Sequence, residues 1–130
     1  MAIDTIGDFL TIIRNATMVG KPSAVVFYSK IRYAISQILK DEGFIKDFLI
    51  QGSGVEKKIT LFFKYINSES VIHEINRIST PGKRVYSQAK NIKPVVGGLG
   101  IVILTTNQGV ITNKEVRNRQ VGGEVICTVW

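Results

Sequence analysis

The stretch from Gly98 to Glu124 constrains the fold of this chain more than any other. An apolar run, Ile101-Val102-Ile103-Leu104, ends in Thr105-Thr106-Asn107-Gln108-Gly109, and Val110-Ile111 follows at once. Two apolar runs joined by a short polar segment closed by glycine read as a β-hairpin with a stiff polar tip. Thr112-x-x-Glu115 then has the form of a capping box, which predicts a short helix over about 113–120. Gly122-Gly123 is expected to end that helix, and 124–130 to return as a closing strand. Upstream, Thr80-Pro81-Gly82 sets proline and glycine at the second and third positions of a type II turn, after which Val85 and Tyr86 continue as strand. The apolar segment 92–96 is broken by Pro94, and Gly97, Gly98 and Gly100 allow backbones to approach closely. The second half thus reads as mostly β with one short helix.

The first half carries helical periodicity. Ile6, Phe9, Leu10 and Ile13 define a helix over 5–17 with Asp4 as N-cap, and Ala24 to Tyr28 a short strand. Ser29 caps a second helix whose apolar face is Ile31, Ala34, Ile35, Ile38 and Leu39, and Gly43 ends it in a left-handed conformation. Phe44 to Gln51 is a strand, and Gly52-Ser53-Gly54 a turn. Ile59, Leu61, Phe63 and Tyr65 then alternate with Lys58, Thr60, Phe62 and Lys64, the signature of a half-buried strand. Asn67-Ser68-Glu69-Ser70 is a polar hinge. The expectation is an α+β fold of two small domains: a helix–strand–helix–strand–strand unit over 1–66, and a mainly β domain with one short helix over 71–130.

Nothing in the chain assembles a catalytic or metal-binding set. Cys127 is the lone cysteine and His73 the lone histidine. The first is expected as a small core residue in an alternating strand, the second as a structural residue. The carboxylates are scattered. Gly97-Gly98-x-Gly100 precedes a strand and lacks the helix, lysine and downstream acid of a phosphate-binding loop. The expectation is therefore a non-enzyme without cofactor, metal or small-molecule substrate. No apolar run approaches the ~20 residues that span a bilayer. Met1-Ala2-Ile3-Asp4 lacks the basic and apolar regions of a signal peptide. The protein is expected to act where it is made, in a reducing compartment.

Charge is distributed unevenly. Residues 1–74 hold nine Lys/Arg against eight Asp/Glu, a net +1, whereas residues 75–130 hold eight against two, a net +6. No acid lies between Glu74 and Glu115. Such asymmetry fits either a solvated face or a polyanion site. The residue types beside it favour RNA. Lys83, Arg84, Lys90 and Lys93 can neutralise phosphates. Tyr86 can stack on a ribose or base, the other reading being a core tyrosine of its strand. Thr105, Thr106, Asn107 and Gln108 can donate and accept in several directions, as shape-specific RNA recognition requires. Glu124 has two readings, acceptor for a base amine or partner of a nearby arginine. Arg117 and Arg119 lie on the short helix as solvated cations. Arg14, Asn15 and Lys30 stand near element ends, within reach of a backbone or simply exposed.

With these residues in view, the chain resembles the small-subunit ribosomal protein eight family of bacterial and organellar type. The resemblance runs along the whole length in ordered blocks: Asp4-Thr5-Ile6 with Leu10-Thr11-x-Ile13-Arg14-Asn15-Ala16, Leu39-Lys40-x-Glu42-Gly43-Phe44-Ile45, Arg77-Ile78-Ser79-x-Pro81-Gly82-x-Arg84-Val85-Tyr86, Gly98-Leu99-Gly100-Ile101, Thr105-Thr106-x-x-Gly109-Val110-Ile111-Thr112 and Gly122-Gly123-Glu124-Val125-Ile126-Cys127. It implies a ribosomal constituent that binds the central domain of small-subunit ribosomal RNA early in assembly, beside neighbouring small-subunit proteins. The ribosome would be that of a cytoplasm or of an organelle. The alternative role is a free regulator that recognises a messenger mimic of the same RNA site. Carried over by position, the reading loop is Thr105, Thr106, Asn107, Gln108 and Gly109, supported by Tyr86, Arg84 and the Gly122-Gly123-Glu124 corner, while Arg14, Asn15 and Lys30 face an adjoining RNA helix. The loop departs from the usual Ser-Thr-Ser, with Asn107 setting an amide where a short hydroxyl is common. Val116 stands where a small residue is usual.

Overall fold

The structure, a computed structural model, describes residues 5–89, 92 and 99–130. Asp4, Lys90, Lys93, Pro94, Gly97 and Gly98, to which the sequence reading gave roles, lie outside them. The chain divides into two compact units, Met1–Ile72 and His73–Trp130.

The first unit runs α1 (Thr5–Met18), β1 (Ser23–Phe27), α2 (Lys30–Asp41), β2 (Ile45–Gln51) and β3 (Lys58–Phe63). The strands form one antiparallel sheet in the order β1-β3-β2. Phe9, Leu10, Ile13 and Ala16 form the buried stripe of α1, and Ile35 and Leu39 that of α2. Ile59, Leu61 and Phe63 are buried from the other side. Arg32 fastens these pieces. Its buried guanidinium donates to the Thr5 carbonyl at 3.0 and 3.2 Å and to the Phe27 carbonyl at 3.1 Å. A buried charge is tolerable because its donors are taken up in this way. Gly43, with φ +81, ends α2 as expected: its N–H donates to Lys40 and that of Phe44 to Leu39, the paired bonds of a Schellman cap.

Residues 67–70 do not form a hinge. Tyr65–Ile66 (β4) and Glu69–Ser70 (β5) pair as a small hairpin. Its turn residues Asn67 and Ser68 both have positive φ, +52 and +64. That is the backbone of a type I′ turn, whose twist matches that of the flanking strands.

The second unit runs β6 (Ile75–Arg77), β7 (Tyr86–Ser87), β8 (Ile101–Thr106), β9 (Gly109–Thr112), α3 (Asn113–Arg119) and β10 (Gly123–Val129). The sheet order is β6-β10-β8-β9, and β7 also pairs with β10. β7 takes the start of that edge of β10 and β6 its end. The intervening loop stays attached, because Ile78 donates to the Ile126 carbonyl and Val125 to that of Val85. β10 carries one extra residue against β8 between Val125 and Cys127. This bulge is where the loop leaves the sheet edge. Ile92, Val102, Leu104, Val116 and Val125 form a core cluster, so Val116 fills an interior position under α3.

Two local expectations are corrected. Gly82 lacks the positive φ a type II turn demands at its third position, although the Thr80–Lys83 turn is closed by backbone bonds in both directions. Gly122-Gly123 does not end α3. Gln120 does so in the left-handed region, φ 52 and ψ 45, with its N–H on the Val116 carbonyl. Thr112 accepts from the Glu115 N–H as the box requires, but the Glu115 carboxylate pairs with Arg119 instead of reaching back. A side chain in the left-handed region costs about 1 kcal/mol relative to glycine. Gln120→Gly is expected to raise the stability of the second unit by roughly 0.5–1 kcal/mol, read from urea unfolding. A loss would show that the Gln120 side chain contributes contacts of its own.

Candidate nucleic-acid interface

The sheet of the second unit brings the expected residues into one row. Thr105 pairs with Val110 on one side and with Glu124 on the other, and Glu124 pairs with Tyr86. Directly opposed residues of an antiparallel sheet share a face. Val110, Thr105, Glu124 and Tyr86 therefore line one face across β9, β8, β10 and β7. Tyr86 is 71% exposed.

Gly122 and Gly123 make this row possible. A Cβ on Gly123 would collide with the Thr105 carbonyl and come within 2.8 Å of Thr106 Cγ2, and one on Gly122 would lie 2.9 Å from the Ser87 carbonyl oxygen. The two glycines let β10 run close between β8 and β7.

Glu124 pairs with an arginine of its own chain. Its Oε2 accepts from the Ser79 hydroxyl at 2.6 Å and from Arg84 Nη1 at 3.0 Å, and its side chain is 14% exposed. Ser79 is itself buried, accepts from the Val85 N–H at 2.8 Å, and takes the Arg77 guanidinium on its carbonyl. The Ser79 hydrogen bond, with Arg84 and Arg77 behind it, holds the Glu124 carboxyl below the usual range against the opposing effect of burial. One acid thus gathers Arg77, Ser79, Arg84 and Val85 beside the row.

The tip is braced from the other side. Thr106 Oγ1 donates to the Gly109 carbonyl at 2.9 Å and accepts from the Gln108 N–H at 3.0 Å. The left-handed backbone that the reversal needs falls on Gly109, φ +107. Gln108 Oε1 accepts from Arg119 Nη1 at 3.3 Å, and Arg119 Nε lies 3.2 Å from Glu115 Oε2. Arg117 donates to the Ile92 carbonyl at 2.6 Å. Asn107 and Gln108 remain exposed at the apex.

The sequence that builds this tip and its cationic unit has relatives among known proteins. The family model described as Ribosomal protein S8 matches residues 4–130. The chain belongs to that family. Small ribosomal subunit protein uS8 of Desulforudis audaxviator is 46% identical over all of both chains. The protein of the same name from Rippkaea orientalis is 45% identical over 98% of this chain and 97% of its own. That from Anaeromyxobacter dehalogenans is 44% identical over the same shares. The chain is accordingly a structural, non-enzymatic constituent of the small ribosomal subunit.

Within this family member, Lys83 is exposed in the turn between Ser79 and Arg84. Arg14 and Asn15 lie on α1, half-buried and exposed respectively, and Lys30 is the exposed first residue of α2. They belong to the first unit, away in sequence from the row. Cys127 is wholly buried, and desolvation pushes its thiol up to about 12. It is a core residue, as the alternation of β10 implied. His73 stacks obliquely on Trp130, 5.5 Å between ring centres. No described helix is long and apolar enough to cross a membrane.

Sequence reasoning missed Ser79, Arg117 and Arg119 as parts of the site. Each acts through a partner at least eleven residues away, Glu124, Ile92 and Gln108 respectively. Residue type alone carries no signal for such pairing.

Because the Glu124 carboxyl is depressed in the fold, its contribution to stability is present above the ordinary carboxyl value of 4.5 and is lost as pH falls through the folded value. Glu124→Gln is expected to melt lower than the native chain at pH 7. The gap should close as melts are repeated below about pH 4.5. A gap independent of pH would contradict the charged node.

Proposed function

We propose that this chain is a primary binder of small-subunit ribosomal RNA, acting on the ribosome of the cytoplasm. It docks through residues 73–130 on an irregular helix of the central domain and stabilises that fold early in assembly, beside neighbouring small-subunit proteins. The observation that carries this reading is the braced tip: an exposed amide apex at Asn107 and Gln108, locked by Thr106, beside exposed Tyr86 and the cations Lys83 and Arg84. Double-stranded RNA hides its base edges in a deep groove, so proteins recognise its irregular places by shape, by 2′-hydroxyls and by stacking. A rigid polar β-tip with a neighbouring aromatic suits that task. The cations anchor phosphates and set position without reading sequence. A ligand that binds only the folded form of an RNA raises its population, which is what an assembly protein must do.

The roles within the tip differ. Thr106 spends its hydroxyl proton on Gly109 and accepts from Gln108, so its part is to hold the shape that reads. The test is filter binding of the full chain to small-subunit central-domain RNA and to random RNA of equal length. Thr106→Val removes two hydrogen bonds worth about 1 kcal/mol each and should weaken the cognate complex roughly 5- to 30-fold, leaving random RNA unchanged. Thr106→Ser should restore binding. Lys83→Ala should weaken both RNAs alike and lower the log–log salt slope by about 0.7. Equal losses on both RNAs for Thr106→Val would contradict a reading tip.

A further inference from the structure

The two edges of the first sheet differ in a way that points to a partner. Bonds from Phe63 N–H to the Pro22 carbonyl and from Tyr28 N–H to the Lys57 carbonyl fix which residues of β1 face β3. With the register Ala24↔Leu61 and Val26↔Ile59, the even-numbered residues turn their backbone groups to β3. Ser23, Val25 and Phe27 turn theirs outward along the free edge. Among the described residues, only the Phe27 carbonyl of these groups is taken, by Arg32.

Natural edge strands are normally blunted by charges, proline, a bulge or a cover. β2, the opposite edge, is blunted in three ways. It carries a bulge between Ile45 and Asp47, it exposes Lys46 and Asp47, and Asp47 Oδ1 accepts the Phe48 N–H at 2.7 Å. Within Ser23–Phe27, β1 has no charge of its own, no proline and no bulge, and its one cover among the described residues is Arg32 on the Phe27 carbonyl. Its sequence is Ser-Ala-Val-Val-Phe, its pairing is regular, and Val25 and Phe27 are 57% and 64% exposed on the face away from the core. A mainly apolar trough follows this edge, lined by Ile12, Asn15 and Ala16 of α1, by Val19 and Lys21 just after it, and by Val25.

We propose that β1 is a strand-addition site: an extended segment of a partner protein pairs with its free edge and continues the sheet. The occupant follows from what is unsatisfied. Backbone donors and acceptors at alternate residues, spaced along a strand, are matched by another strand and by no other element. Val25 and Phe27 call for apolar side chains at alternate positions of the incoming strand. Lys58, whose ammonium lies 5.6 Å from the Phe27 ring centre, favours an acid beside them. RNA, the other large component of the particle, offers neither the repeating N–H and C=O pattern nor the apolar alternation.

The site lies on residues distinct from the tip, so its failure and that of the RNA reading are separable. Small subunits carrying the full chain with Phe27→p-benzoylphenylalanine are irradiated, and the cross-linked product is sequenced. The expected product is one protein peptide with alternating apolar residues. Val25→Pro deletes an outward N–H and leaves the β1–β3 ladder intact, since proline is tolerated where the strand N–H faces outward. Added to the cross-linking chain, it should cut the yield about tenfold, with affinity for central-domain RNA unchanged. Cross-linking to RNA, no cross-link, or a yield indifferent to Val25→Pro would overturn the proposal. Should the proline variant fail to fold, amide exchange on the native chain decides. The Val25 N–H should exchange more than tenfold slower in the assembled subunit than in the free chain, and equal rates would overturn the site.

Discussion

The carboxylate of Glu124 is the point on which the proposed reading surface depends. A mostly buried acid is costly unless paired and hydrogen-bonded. Here the Ser79 hydroxyl and Arg84 supply both. Because Ser79 and Arg84 belong to the excursion between β6 and β7, the same interaction pins that excursion to β10. β10 in turn is held against β8 at Thr105, one residue before the locking threonine of the tip. Cation, aromatic and hairpin are thereby fixed relative to one another by neighbouring residues of one strand.

Bracing comes from both faces of the sheet. Glu124 works on the side of Thr105 and Tyr86, while Arg119 reaches Gln108 from α3. A tip held in this way loses little conformational freedom on binding. Its polar contacts then translate into affinity with less offset from ordering loops and side chains. The same geometry explains why the cations are split in function. Lys83 is open to solvent, whereas Arg84, Arg117 and Arg119 are partly engaged in holding the protein's own shape.

What could be read from the residues was what is local. The amphipathic helices, the Gly43 cap, the alternation of β3 and the 101–112 hairpin follow from spacing and turn chemistry alone. The errors arose where a strand's partner or a turn's backbone is not written in its own residues. Gly122-Gly123 looked like a helix stop because glycine after a helix usually is one. Its reason is the Thr105 and Ser87 carbonyls, which lie close by only once β10 is paired on both sides. Asn67-Ser68 looked like a hinge because the usual I′ signal is Asn-Gly, and serine at φ +64 conceals it. The bulge in β10 left no mark in a run where Val125, Ile126 and Cys127 are all buried. Family resemblance supplied the candidate site residues. Only the pairing told Thr106 and Glu124, which hold the shape, from Lys83 and Tyr86, which face outward.

The most direct test is a hydroxyl-radical footprint of the purified full chain on small-subunit RNA, run with the native protein and with Ser79→Ala. Ser79 is buried and touches no RNA in this account. The native chain should protect one compact patch on an irregular helix of the central domain. The variant should leave that patch diffuse at matched occupancy, because the node that aligns cation, aromatic and tip has lost its first hydrogen bond. An unchanged footprint from the variant, or native protection scattered along regular helices, would contradict a preorganised reading surface.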